Sequence, residues 1–200
     1  MKRVSLLCSI VVFSSALAFG QTLTQADRDK GVQYLQQTRD GVVEAVKGLS
    51  EAQLKFKPGP DRWSVAETLE HIALAEDFIF QNTTDKIMKA PAGVASRDTA
   101  KIDAGVLAMI PDRSHKAQAP PPLVPTGRWT ETESLEHFLK SRAKTIEFLQ
   151  TTPDLRQHVA DSPLGQPLDA YEWLLFIAAH SERHTKQILE VKADANFPKN

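Results

Sequence analysis

The sequence predicts an all-α protein, a four-helix bundle with a long connection between its second and third helices. Four segments of about 20 residues or more place apolar side chains at helical spacings of three, four and seven. No run of alternating polar and apolar residues rivals them as a strand. Three breaks separate the four segments: Pro58-Gly59-Pro60, the proline-rich run from 119 to 125, and the stretch holding Pro153, Pro163, Gly165 and Pro167.

Thr24 with Asp27 forms a capping pair, and Val32, Leu35, Val42, Val46 and Leu49 follow on one stripe, which predicts a first helix over 24–49. Gly31 and Gly41 weaken it modestly. Residues 50–63 read as a loop packed down by Leu54, Phe56 and Trp63. Ser64 and Glu67 are a capping box that opens the second helix, which runs to about Lys89 with Val65, Thr68, Leu69, Ile72, Ala75, Phe78 and Ile79 facing inward.

From Ala90 to Trp129 the pattern lapses, apart from a short helix around Ala100 to Met109. A connection of this length fits a crossover between helices that are not antiparallel neighbours, or a lid over a site. Thr130 and Glu133 cap a third helix, 131–151, whose stripe is Leu135, Phe138, Leu139, Ala143, Ile146 and Leu149. Residues 152–168 form the last loop, with a short turn near Leu155 to Val159. Asp169 with Glu172 opens the fourth helix, which runs to about Lys192.

The chain begins with Lys2 and Arg3 ahead of an uncharged apolar run and small residues at Ala16, Ala18 and Gly20. This is the pattern of a secretory signal peptide over residues 1–20, cleaved after Gly20 in preference to Ala18, and too short for a comfortable membrane span. The expectation is an exported protein, periplasmic or extracellular, with no membrane attachment after cleavage and one domain over 21–200. The sole cysteine, Cys8, lies in the signal, where Leu6 and Leu7 are too bulky for a lipoprotein site. A cysteine-free mature chain excludes disulfides, a thiolate nucleophile and thiolate-bound zinc, and leaves His, Asp and Glu as metal ligands. Losing Lys2 and Arg3 from 24 basic residues against 25 acidic ones leaves a net charge of −3, which gives no sign of nucleic-acid binding.

The chemistry centres on the stretch from Trp173 to Val191, which carries His180 and His184 four residues apart. On a helix that spacing puts both imidazoles on one face, a turn apart, where they can converge on one ion. Trp173, Phe176, Ile177, Ile188 and Val191 share that face, so the rings point into the bundle. Ser181 follows His180 where a zincin carries Glu. His71 sits beside the second helix's stripe and, on its own, reads as a core histidine more readily than as a ligand. It can meet the pair if the two helices are neighbours in register. His115, His137 and His158 read as surface residues, as do Glu70 and Glu76, while Glu182 points away from the pair. No general acid or base is singled out.

Two stretches resemble the DinB-like superfamily of four-helix-bundle metal proteins: FKPGPDRWSVAETLEHIALAE, Phe56 to Glu76, and AAHSERHTKQI, Ala178 to Ile188. The first matches the family's Trp-Ser entry into helix two, leading to Leu and His. The second matches its closing His-x-x-x-His, followed by Gln and Ile. Helix count and the long second connection agree, so the resemblance covers nearly the whole mature chain. It implies a metal triad of His71, His180 and His184, and also a homodimer. Three imidazoles with open positions suit a catalytic site, because structural zinc is normally closed by four protein ligands. Zn²⁺ is the first choice of divalent ion and Ni²⁺ the second, with Fe or Mn possible.

The expected function is therefore a metal-dependent enzyme, hydrolase-like, using metal-activated water on an unknown small-molecule substrate. A thiol S-transferase is an alternative, less comfortable for an exported protein that meets less of a reduced cytosolic thiol pool. A non-catalytic metal-binding or stress-related protein is another.

Overall fold

The computed structural model describes residues 22–93 and 97–199, so the predicted signal peptide lies outside the described residues. Four long helices build the bundle: α1 (Gln25–Val46), α3 (Val65–Asp85), α5 (Glu131–Thr151) and α6 (Ala170–Lys192). Between them lie two shorter ones, α2 (Glu51–Lys55) and α4 (Thr99–Met109). Each long helix starts at the residue the sequence marks. Thr24, Ser64, Thr130 and Asp169 accept a hydrogen bond from the backbone N–H three residues on, and the last three form reciprocal capping boxes.

α2 is a departure from the expected loop. Ser50 and Gln53 make a capping box of their own, with Gln in the place of the more familiar Glu, and that is enough to nucleate one turn and a half. In the last loop, β1 (Val159–Ala160) and β2 (Leu168–Asp169) pair antiparallel, with Val159 opposite Asp169. Gly165 takes the positive φ of 72° that their connecting turn requires. His158 is half-buried there, its Nδ1 2.7 Å from Ala90 O, so it is not the solvated residue expected.

Cross-helix contacts fix the directions. Tyr171, at the start of α6, donates to Asp27 O at the start of α1, and Lys192 at the end of α6 donates to Ala45 O at the end of α1, so these helices run parallel. Glu76 meets Arg142, and Phe80 meets Phe148 with ring centroids 5.4 Å apart, so α3 and α5 also run parallel. α3 runs against α6, and Arg28 near the start of α1 bonds Thr152 O beyond the end of α5. Helices α1 and α3, like α5 and α6, are therefore joined across a diagonal, while α3 and α5 are parallel neighbours. Parallel neighbours need a chain that travels back along the bundle, which is why residues 86–130 form a crossover. On the way α4 packs against α6. Gly31 permits the close approach of α6 to α1, since a Cβ there would fall 2.9 Å from Tyr171 Cε2.

The interior is more polar than the apolar stripes predict. Arg142 is fully buried and donates to both carboxylate oxygens of Glu76 (2.8 and 2.7 Å), to Leu35 O, to Thr38 Oγ1 and to Ser181 Oγ. Thr145 Oγ1 completes the shell of Glu76 at 2.8 Å. Glu76 is thus no surface charge, and neither is Glu70, which accepts from the backbone N–H groups of Thr126 and Gly127 and pins the end of the crossover. Conversely Phe78 is exposed, and Ala143 with it, because α3 and α5 turn these polar groups inward in their place. No described helix is long and apolar enough to cross a membrane.

Candidate metal centre

His180 and His184 leave α6 one turn apart, and the antiparallel packing of α3 brings His71 to them. One ring nitrogen from each lies within 4.8 Å of the others, and among the described residues no carboxylate joins this group. His71 and His184 face each other Nε2 to Nε2 at 3.1 Å. A tetrahedral ion with bonds of about 2.0–2.1 Å would hold two nitrogens about 3.3 Å apart, close to what the fold already provides.

On His71 and His184 the other ring nitrogen is hydrogen-bonded. His71 Nδ1 lies 2.8 Å from Leu123 O, a carbonyl that can only accept, so Nδ1 carries the proton and Nε2 keeps its lone pair. His184 Nδ1 lies 2.9 Å from Gln187 Oε1. That oxygen also accepts from Arg113 Nη1 at 3.1 Å, so here too Nδ1 donates and Nε2 is unprotonated. Two lone pairs aimed at each other call for a cation between them, and an outer hydrogen bond on each ring is the usual company of a metal-ligating histidine. These residues fit a divalent ion.

Aromatic rings wall the group. Trp63 lies 4.8 Å from the His71 ring and 6.5 Å from that of His184, and Phe176 stacks parallel to His180 at 6.4 Å. His71 and His184 are 2% and 8% exposed, while His180 keeps more of its surface accessible. Desolvation is the main cause that pushes all three histidines below their ordinary value, His180 and His184 furthest, with repulsion from the neighbouring rings adding to it for that pair. All three are neutral at pH 7, the form a metal needs.

A pH dependence follows for the metal-free protein. A histidine whose folded pKa is depressed contributes stability above the unfolded value of 6.5 and loses it as pH falls, because the unfolded chain takes up protons that the folded one refuses. Glu172, pushed up to about 7 by burial and by the charge of Asp169, and Asp103, also raised by burial, act in the opposite sense, but they are two groups against three. The urea midpoint is therefore expected to fall as pH drops from 8 to 5.5. The fall should be shallower in His180→Asn, and an unchanged slope in that variant would contradict the assignment.

Of the other histidines, His115 is exposed as expected, and His137 bonds Asp77 and stacks on Trp129 at 4.3 Å outside the triad. Glu182 turns away to accept from Tyr34 and Lys186. Trp63, Leu123, Gln187 and Arg113 are the site residues that sequence reasoning did not assign. Two of them carried a signal: Trp63 in the Trp-Ser entry to the second long helix, and Gln187, whose place three residues after His184 puts it on the same face one turn on.

The family model of the DinB superfamily matches residues 34–188. The chain is similar to the uncharacterized protein YuaE of Bacillus subtilis (strain 168), 26% identical over 149 residues, which covers 74% of this chain and 88% of that protein. Its fold is similar to that of YfiT from Bacillus subtilis, described as a probable metal-dependent hydrolase with an unusual four-helix bundle topology. The TM-score is 0.56 over 88% of this chain and 91% of that one, at 16% identity, a likeness of fold alone. With a match that runs from Tyr34 in α1 to Ile188 in α6, the chain belongs to the DinB superfamily.

Proposed function

We propose that the chain is an exported divalent-metal-dependent enzyme of hydrolase type, acting on a small-molecule substrate through His71, His180 and His184. The observation that carries this is the trio of neutral imidazoles in which His71 and His184 have their Nε2 lone pairs set free by hydrogen bonds on the opposite nitrogen. Three protein ligands leave coordination positions open, which suits catalysis better than a purely structural role. The description of YfiT as a probable metal-dependent hydrolase points the same way. Zn²⁺ is favoured, then Ni²⁺, because the donor set is all imidazole. Export is supported by the charged start and apolar run over residues 1–20.

When bound, the ion supplies Lewis acidity toward water or a polarised substrate oxygen. The chain's own contribution is to hold three imidazoles neutral, fix two of their tautomers and flank them with the rings of Trp63 and Phe176. Glu70 and Glu76 take no part as acid or base, because both are consumed by structural hydrogen bonds.

Zinc- or nickel-loaded protein screened against ester, amide and phosphoester substrates should turn over at least one class, with His180→Ala slower by about a hundredfold or more. A thiol-dependent rate on an electrophile would move the assignment to the S-transferase. Equal rates for wild type and His180→Ala would leave a non-catalytic metal-binding protein.

A further inference from the structure

We propose that Arg113, in the crossover, selects the metal-binding tautomer of His184 by locking the Gln187 amide. This rests on the reading of the triad as a metal centre and extends it to a residue that touches none of the three histidines. Arg113 is a positioning residue, and its effect is carried by one side chain of α6.

The geometry is a relay. Arg113 sits just past α4 and grips Glu190 with two nitrogens, Nε to Oε1 at 2.6 Å and Nη2 to Oε2 at 2.8 Å. That fork aims its remaining nitrogen, Nη1, at Gln187 Oε1. The same oxygen faces His184 Nδ1. An amide presents an acceptor on one side and a donor on the other, and a 180° turn exchanges them at little intrinsic cost. With Arg113 present that turn would set the amide NH₂ against the guanidinium N–H. Without Arg113 that opposition is gone. The NH₂ would then face Nδ1, Nδ1 would have to accept, and the ring proton would move to Nε2, the atom that faces His71 at 3.1 Å. A protonated Nε2 cannot ligate.

The crossover is held where this relay needs it. Arg183 of α6 donates to the carbonyls of Ile110, Asp112 and His115 on either side of Arg113. The crossover also sets the tautomer of His71, through Leu123 O. Two of the three histidines thus take their ligating form from residues 86–130, and metal affinity and the seating of the crossover are linked.

The test is Zn²⁺ affinity by competition with a chromophoric chelator, together with the visible spectrum of the Co²⁺-substituted protein. Gln187→Leu should weaken Zn²⁺ ten- to a hundredfold, the usual range for loss of an outer-shell partner, and Arg113→Met should weaken it by about tenfold. Adding Gln187→Glu to Arg113→Met should restore affinity to within about threefold of wild type, because a carboxylate accepts from Nδ1–H whichever way it turns. Arg183→Met, which loosens the same segment but leaves the contacts of the relay itself in place, should weaken Zn²⁺ by no more than about threefold and keep the wild-type Co²⁺ spectrum. Gln187→Leu retains the Arg113–Glu190 pair, so the relay is tested even if Arg113→Met folds poorly. Failure of Gln187→Glu to rescue, or equal losses in Arg183→Met and Arg113→Met, would overturn the proposal. So would wild-type affinity in both Arg113→Met and Gln187→Leu. A wild-type protein that binds no Zn²⁺ would overturn the metal reading itself and this proposal with it.

Discussion

Glu76→Ala is expected to lower the unfolding free energy by about 3–5 kcal/mol, the cost of leaving one partner of a buried ion pair alone. Arg142 and Glu76 have no exposed side-chain surface, and Arg142 is hemmed in by α1, α3 and α6 with its guanidinium 5.0 Å from the Phe138 ring. Without the carboxylate a cation remains in the centre of the bundle, with Leu35 O, Thr38 and Ser181 left as hydrogen-bond acceptors. Removing both charges at once is a different matter. Glu76→Leu combined with Arg142→Met should recover much of the loss, because apolar residues of similar volume replace a pair whose desolvation already cost much of its attraction. Urea unfolding of the two single variants and the double variant checks this. A Glu76→Ala protein within about 1 kcal/mol of wild type would mean that the network does not hold the four helices together.

Zinc should stabilise the wild-type protein by about 2.7 kcal/mol at a free concentration a hundred times its dissociation constant, and should not stabilise His184→Ala. His184 is the ligand with the most to lose. It supplies an Nε2 that faces His71, and its other nitrogen is the point at which Gln187 and Arg113 connect to the site. The increment should also fade below pH 6.5, as protons compete with the metal for the same lone pairs. Thermal or urea unfolding with and without Zn²⁺ reads both effects. An equal increment in wild type and His184→Ala would place the binding elsewhere.

Much of this was legible in the sequence, for physical reasons that differ by element. The helix starts were legible because capping boxes are local: Ser64–Glu67, Thr130–Glu133 and Asp169–Glu172 need only three residues of context. The connection was legible as a lapse in periodicity whose length fits a crossover or a lid, and the parallel packing of α3 and α5 makes it a crossover. The meeting of His71 with His180 and His184 depends on the register of two helices far apart in sequence, which spacing alone does not contain; it came from the resemblance of the flanking residues. Arg142 and Glu76 were invisible because each looks like a surface charge until a partner from another helix neutralises it, and Phe78 was misplaced for the same reason. Leu123 could not be found at all, since its backbone carbonyl, not its side chain, faces His71.

The central claim is that His71, His180 and His184 hold one divalent ion. Metal analysis of wild-type protein purified without chelators, beside His71→Ala and His180→Ala, tests it most directly. About one equivalent of a single divalent metal in wild type, lost in both variants, is the expected result. Less than about a tenth of an equivalent in wild type, unchanged by either substitution, would contradict it.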